Sequence, residues 1–213
     1  FLPAIAAMGA SACIECLRPG FYPKGGGRLE ARVTPLSGPL RPLAWAERGE
    51  LRSLTAFSVV EQRLPAHILR RQIEGARDAL GPVGLRAATA HPESPSPGTM
   101  LTIAARFERG AAGFSAAGER GRPAETVGRE AGEQAARFLQ GTASVDMHLA
   151  DQLLLYAAIA GGETTYVTEQ TTEHLRTNAW VIAQFLEAEI EIDEATGRVT
   201  VRGVGLPAGG GAI

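Results

Sequence analysis

His174, in the stretch Thr171-Thr172-Glu173-His174-Leu175-Arg176-Thr177-Asn178, is the residue whose type and place promise most chemistry. It opens a predicted helix and follows the Asp151-Gln152 pair of another. The first turn of a helix carries the positive end of the macrodipole and free N–H groups, and both attract phosphate. A neutral imidazole beside a bound phosphate is what a histidine nucleophile needs to attack phosphorus. Taken alone, His174 reads first as a satisfied or exposed histidine, because helix starts are polar for capping reasons. Asn178, four residues on, could bond an imidazole nitrogen or a phosphate. Arg176 could neutralise phosphate or simply point to water.

Two further stretches could meet a nucleotide. In Ser144-Val145-Asp146-Met147-His148-Leu149-Ala150-Asp151-Gln152-Leu153, the residues His148, Asp151 and Gln152 stand three and four apart, so they share one helix face. Three hydrogen-bonding groups beside Leu149, Leu153 and Leu154 could read a base or a ribose; a solvated polar face is the alternative. Tyr22-Pro23-Lys24-Gly25-Gly26-Gly27 is a glycine-rich turn whose backbone could approach an anion and point N–H groups at it. It is not a Walker A loop, because Lys24 precedes the glycines and no Lys-Ser/Thr follows. A tight connection explains it equally well.

These residues need a frame. With 45% hydrophobic and 21% charged residues, the 213-residue chain has the composition of an ordinary globular protein rather than a disordered one. That length suffices for one or two domains with a real core. No apolar run reaches the roughly 18 residues of a membrane span, so no membrane partner is expected. The net charge of −2 argues against broad binding along a nucleic-acid backbone, though not against gripping one strand end. Cys13 and Cys16 form a lone C-x-x-C without the second pair a zinc site needs. They are expected to be small apolar residues on or after a helix, and the reducing cytoplasm is the default compartment. The start at Phe1 reads as a cut through a helix, so a fragment is expected.

Residues 1–18 are predicted to be the end of a helix, followed by the turn-rich 17–27 segment and a strand over 28–33. A strand at 51–60, a helix at about 65–80 and a strand at 83–89 make a compact α/β run. The Pro-rich stretch 91–98 must be a loop. Strands at 99–107 and 113–118 then lead to a helix at about 123–140, with Pro123 near its start. The last third predicts a helix over 145–160 with Gly161-Gly162 as its C-cap, a strand at 164–168 and a helix over 173–186 capped by Thr172. A hairpin of 189–193 and 198–202 turns at Glu-Ala-Thr-Gly. The fold class is α+β, with two helices on one sheet face in the last third.

In this order, Arg18 to Gly27, Ser144 to Leu153 and His174 to Asn178 resemble the RNA 3'-terminal phosphate cyclase family; Gly113 to Gly121 also looks familial. The resemblance runs to about Gly203. It implies repeats like the C-terminal domain of translation initiation factor 3, two helices on a four-stranded sheet, as in enolpyruvyl transferases, with a small inserted α/β domain. On that basis residues 1–46 belong to the catalytic repeat domain, 47–143 form the insert, 144–205 the final repeat and 206–213 a disordered tail. The first two repeats would lie outside the chain. The resemblance further implies that His174 attacks the α-phosphorus of ATP and that the AMP passes to an RNA 3'-phosphate end. The neighbouring 2'-hydroxyl then closes a 2',3'-cyclic phosphodiester. A divalent cation, Mg²⁺ or Mn²⁺, would offset phosphate charge. His148, Leu149, Ala150, Asp151 and Gln152 would wall the nucleotide pocket, and Tyr22, Lys24, Gly25, Gly26 and Asn178 would contact substrate. Some members carry Tyr at the place of His148. The alternatives are a non-catalytic cyclase-like RNA-binding scaffold in ribosome assembly, which does not keep the histidine, and an enolpyruvyl-transferase-like enzyme.

Overall fold

The computed structural model describes residues 1–207. Helix α1 (Leu2–Ala7) is short: Gly9, at φ +99°, takes the chain out of the helix, and Ser11 starts strand β1 (Ser11–Arg18). The helix expected through residue 18 is therefore a strand. An antiparallel ladder with β2 (Arg28–Thr34) decides this, a partner that residues 1–18 do not reveal by themselves. Cys13 and Cys16 move with it. Three apart on a strand, they point to opposite faces of the ribbon, and both are exposed free thiols rather than helix packing.

Strand β3 (Ala44–Trp45) is followed by the first of two sheet-and-helix units. Strands β4 (Leu51–Val60), β5 (Arg86–Ala90), β6 (Thr99–Phe107) and β7 (Gly110–Ala117) form a sheet in the order β5-β4-β6-β7. Along β6, Leu101, Ile103, Ala105 and Phe107 alternate inward, the period-two pattern of a sheet with one covered face. Helices α2 (His67–Leu80) and α3 (Ala124–Gln140) cover that face. They pack unusually close through small residues: a Cβ on Gly128 would meet the Gln72 carbonyl oxygen at 1.8 Å.

The second unit follows directly. Helix α4 (Met147–Ile159), strand β8 (Gly161–Val167), helix α5 (Glu173–Ala183) and the hairpin β9 (Glu189–Asp193) and β10 (Arg198–Val204) supply two helices and three strands. Strand β3 joins them in parallel to β8, completing the order β3-β8-β10-β9. The fold class is α+β, as expected. Gly161-Gly162 is not the cap of α4: Ala160 leaves the helix in extended conformation, and both glycines pair with β10. Helix α5 ends at Ala183, three residues earlier than expected, and β5 and β7 begin at Arg86 and Gly110. The last two starts are set by their ladders with β4 and β6 rather than by local propensity.

Val145 ties the two units together, bridging to Ala111 on one side and Thr168 on the other. Among the described residues no helix is long and apolar enough to cross a membrane. Of the tail expected at 206–213, Leu206 donates its N–H to the Ile159 carbonyl, and 208–213 lie outside the described residues.

Candidate active site

Helix α4 is positioned from its first residue. The Asp146 side chain caps it, one oxygen accepting from the His148 and Leu149 N–H groups at 3.0 and 2.9 Å. The other oxygen accepts from Gly113 N–H at 2.9 Å, on β7 of the first unit. Leu149, Ala150, Leu153, Leu154, Ala157 and Ala158 bury the opposite face in the core. Tyr166 lies beneath, and its hydroxyl donates to the Ala150 carbonyl at 2.7 Å. Burial, then the negative charge of Asp151, push the Tyr166 phenol far above its ordinary range, so it stays neutral.

Helix α5 is capped as expected, Thr172 Oγ1 accepting from Leu175 N–H at 3.1 Å. Buried Leu175 and Ile182 fasten it to the core and leave His174 and Asn178 exposed on the same outer face, one turn apart. Arg176 is not available for phosphate: it pairs with Glu173 at 2.6 Å and Glu194 at 2.8 Å. The imidazole of His174 has no hydrogen-bond partner among the described residues, Asn178 included.

The two helices enclose a groove of about 550 Å³. Asp151 and Gln152 line it from α4 and Asn178 from α5, above an apolar floor that includes Leu155, Ile182 and Leu186. His174 lies one turn before Asn178 on α5 and is not among the residues that line the groove. Asp151, Gln152 and Asn178 are thus brought together, and their polar ends are uncommitted among the described residues. Leu149 and Ala150 shape the wall only through the core, since both are buried.

His148 goes elsewhere. It lines a second cavity, of about 830 Å³, between the two units. The glycine-rich loop is also apart from the groove. Gly25 and Gly26, at φ +60° and +68°, turn the ribbon, Lys24 donates its N–H to Ser96 Oγ at 3.1 Å, and Gly26 rests on Pro95. Tyr22 is 92% exposed. The loop is clamped to the 91–98 segment, and none of its residues lines the groove.

Residues 1–192 match the family described as RNA 3'-terminal phosphate cyclase. The chain belongs to that family. It is 38% identical to the RNA 3'-terminal phosphate cyclase of Pyrobaculum neutrophilum over 205 residues, 93% of this chain and 58% of that protein. Likeness to the Pyrobaculum aerophilum protein of the same name is 38% over 211 residues, 96% of this chain and 60% of that one. With the Methylococcus capsulatus protein of that name it is 37% over 212 residues, 98% and 58%. The chain spans about three fifths of the length of these curated relatives.

Within this cyclase-family chain, three residues of consequence escape a reading by motif. Asp146 has a local signal, an acidic residue just ahead of an apolar helix, which marks an N-cap. Its third bond, to Gly113, has none. Arg137 and Glu169 line one cavity only because α3 and the segment after β8 face each other across it. Enclosure there raises the Glu169 carboxyl above its ordinary range; the Met147 N–H at 3.4 Å, Arg137 and His148 oppose the shift, while Asp146 adds to it.

Proposed function

We propose that this chain carries the nucleotidyl-transfer centre of an ATP-dependent RNA 3'-terminal phosphate cyclase. His174 Nε2 bonds to the α-phosphorus of ATP as the bond to pyrophosphate breaks, leaving AMP on the imidazole. The AMP moves to an oxygen of an RNA 3'-phosphate. The neighbouring 2'-hydroxyl then attacks that phosphorus, expelling AMP, losing its proton and closing the cyclic diester. Residues 47–143 act as the insert and 144–205 as the final repeat, completed by β3. Asp151 and Gln152 hold the nucleotide from one wall, and Asn178 holds it from the other. No three His, Cys, Asp or Glu side chains gather to hold a metal among the described residues. A divalent cation beside the nucleotide would supply charge neutralisation to its phosphates.

One observation carries this reading. An unbonded, exposed imidazole stands on the capped start of α5, one turn before Asn178, which lines a groove with uncommitted Asp151 and Gln152. The test is covalent labelling by ATP radiolabelled at the α-phosphate. His174→Ala is expected to abolish the label without changing the circular dichroism spectrum, since the side chain is exposed. Label surviving the substitution overturns the nucleophile. No label with Mg²⁺ or Mn²⁺ favours the RNA-binding scaffold.

A further inference from the structure

We infer that the first unit carries a binding site of its own, for the phosphate group of a nucleotide. A third cavity, of about 520 Å³, opens beside the 118–122 turn and shares no lining residue with the α4–α5 groove or with the cavity between the units. Its size is that of a small-molecule site, roughly 300–1,000 Å³. Helix α3 starts beside it and runs 17 residues to the joint with the second unit, about 25 Å at 1.5 Å per residue. A group seated here is therefore remote from His174, and the inference does not draw on the cyclase reading.

A buried chain of hydrogen bonds ends at this cavity with a donor left over. Ser58 Oγ donates to Gln72 Oε1 at 2.6 Å, and Gln72 Nε2 donates to Thr99 Oγ1 at 2.9 Å. All three residues are buried, Thr99 to within 8%. The Thr99 hydroxyl thus accepts from within the chain, and its own hydrogen has no acceptor among the described residues. Thr99 lines the cavity, and Gly118 leaves its hydroxyl uncovered there: a Cβ on Gly118 would meet Thr99 Oγ1 at 2.1 Å. A buried donor without an acceptor is costly, so this hydroxyl favours an acceptor oxygen on the cavity side.

The same cavity gathers positive charge, most of it held in place. Arg71 is fixed by a two-pronged pair with Glu125, at 2.5 and 2.7 Å, and Arg122 by Glu130 and the Ala117 carbonyl. Both glutamates belong to α3, and neither lines the cavity. Arg120 stands at the tip of the turn that Gly121 makes at φ +84°, and it has no side-chain partner among the described residues. Three guanidiniums and a hydroxyl thus face one carboxylate, Glu119, among the described residues that line the cavity. Such a surplus of donors fits a group that only accepts and carries negative charge, which is phosphate. Leu64, Ile68 and Val127 add an apolar wall that a bare phosphate would not use and the base or sugar of a nucleotide would. The nucleotide is either free or one unit of an RNA strand, and its chemistry at the cavity is the same.

The experiment is proton–nitrogen correlation NMR of the protein, titrated with uridine monophosphate, with an oligouridylate ending in a 3'-hydroxyl, and with inorganic phosphate. Backbone resonances of Thr99 and of residues 118–122 are expected to shift saturably with a nucleotide probe. Arg120→Gln, in an exposed turn, should weaken that binding about five- to tenfold, the scale of one charge-assisted contact. Arg77→Gln, which removes an exposed arginine of α2 outside the cavity, should leave it unchanged. Shifts with the monophosphate assign a free nucleotide, and shifts with the strand alone assign a nucleotide within RNA; either supports the site. No saturable shift at these residues with either nucleotide probe overturns it, even where Asp151, Gln152 and Asn178 respond. Unchanged affinity in Arg120→Gln overturns it as well. Inorganic phosphate binding as tightly as uridine monophosphate overturns the assignment to a nucleotide. None of these outcomes bears on covalent labelling at His174, so the site and the cyclase reading fail separately.

Discussion

Asp146 should be the most informative single position for stability, because its carboxylate makes contacts that substitutions can separate. One oxygen caps α4 through the His148 and Leu149 N–H groups; the other holds Gly113 of the first unit. Loss of an N-cap removes about 0.5–2 kcal/mol, typically ~1. A hydrogen bond to a charged group contributes about 1.5–3 kcal/mol, and the exposed Gly113 backbone puts this one at the low end. Asp146→Ala is therefore expected to destabilise by about 2–3 kcal/mol. Asp146→Ser keeps a cap oxygen but cannot reach both partners, so it should fall between, recovering ~1 kcal/mol. The assay is urea unfolding followed by tryptophan fluorescence. Trp45 lies on β3 and Trp180 on α5, so the signal reports the unit that α4 belongs to. Backbone hydrogen exchange at His148 and Leu149 supplies a second readout and should quicken in Asp146→Ala but little in Asp146→Ser. A loss of less than about 0.5 kcal/mol in Asp146→Ala, the scale of an ordinary surface change, would refute the argument. So would equal losses for Ala and Ser, which would leave no contribution from the cap.

Two further outcomes are expected. Burial raises the folded-state affinity of Glu169 for a proton, so folding favours its neutral form: the stability this confers is present below the unfolded carboxylate range and is lost as pH rises through the raised folded value. Glu169→Gln should accordingly be more stable than the parent near neutrality and indistinguishable from it near pH 3–4, about where unfolded carboxyls are protonated; urea midpoints at the two pH values check this, and a gain confined to acid refutes it. Gly128→Ala should destabilise by at least about 1–3 kcal/mol, because its Cβ would enter the Gln72 carbonyl of α2 at 1.8 Å and backbone must move to relieve it. A thermal melt within about 1 °C of the parent would mean the helices separate freely, since 1 kcal/mol is worth roughly 2–4 °C at this size.

What could be read from the amino-acid order is what short range decides. Thr172 caps α5 because its hydroxyl needs only the N–H three residues on. The 189–202 hairpin turns where Asp193 accepts from Ala195 and Thr196 and Gly197 adopts φ +69°. The strand over 11–18 could not be read so, since only its ladder with β2 selects it over a helix. Nor could the cavity, whose walls come from residues more than thirty positions apart, such as Arg137 and Glu169. The same distinction sharpens the site. Arg176 sits beside His174 and looked equally suited to phosphate, yet Glu173 and Glu194 hold it as structure. Asp146 sits beside His148 and is likewise spent on three backbone N–H groups. His174, Asn178, Asp151, Gln152 and Arg137 have no such partners among the described residues. A polar group that the fold does not use, in a concave place, is free to be used by a ligand. By that criterion the α4–α5 groove qualifies, while the Tyr22 to Gly27 loop, held against Ser96 and Pro95, does not line it.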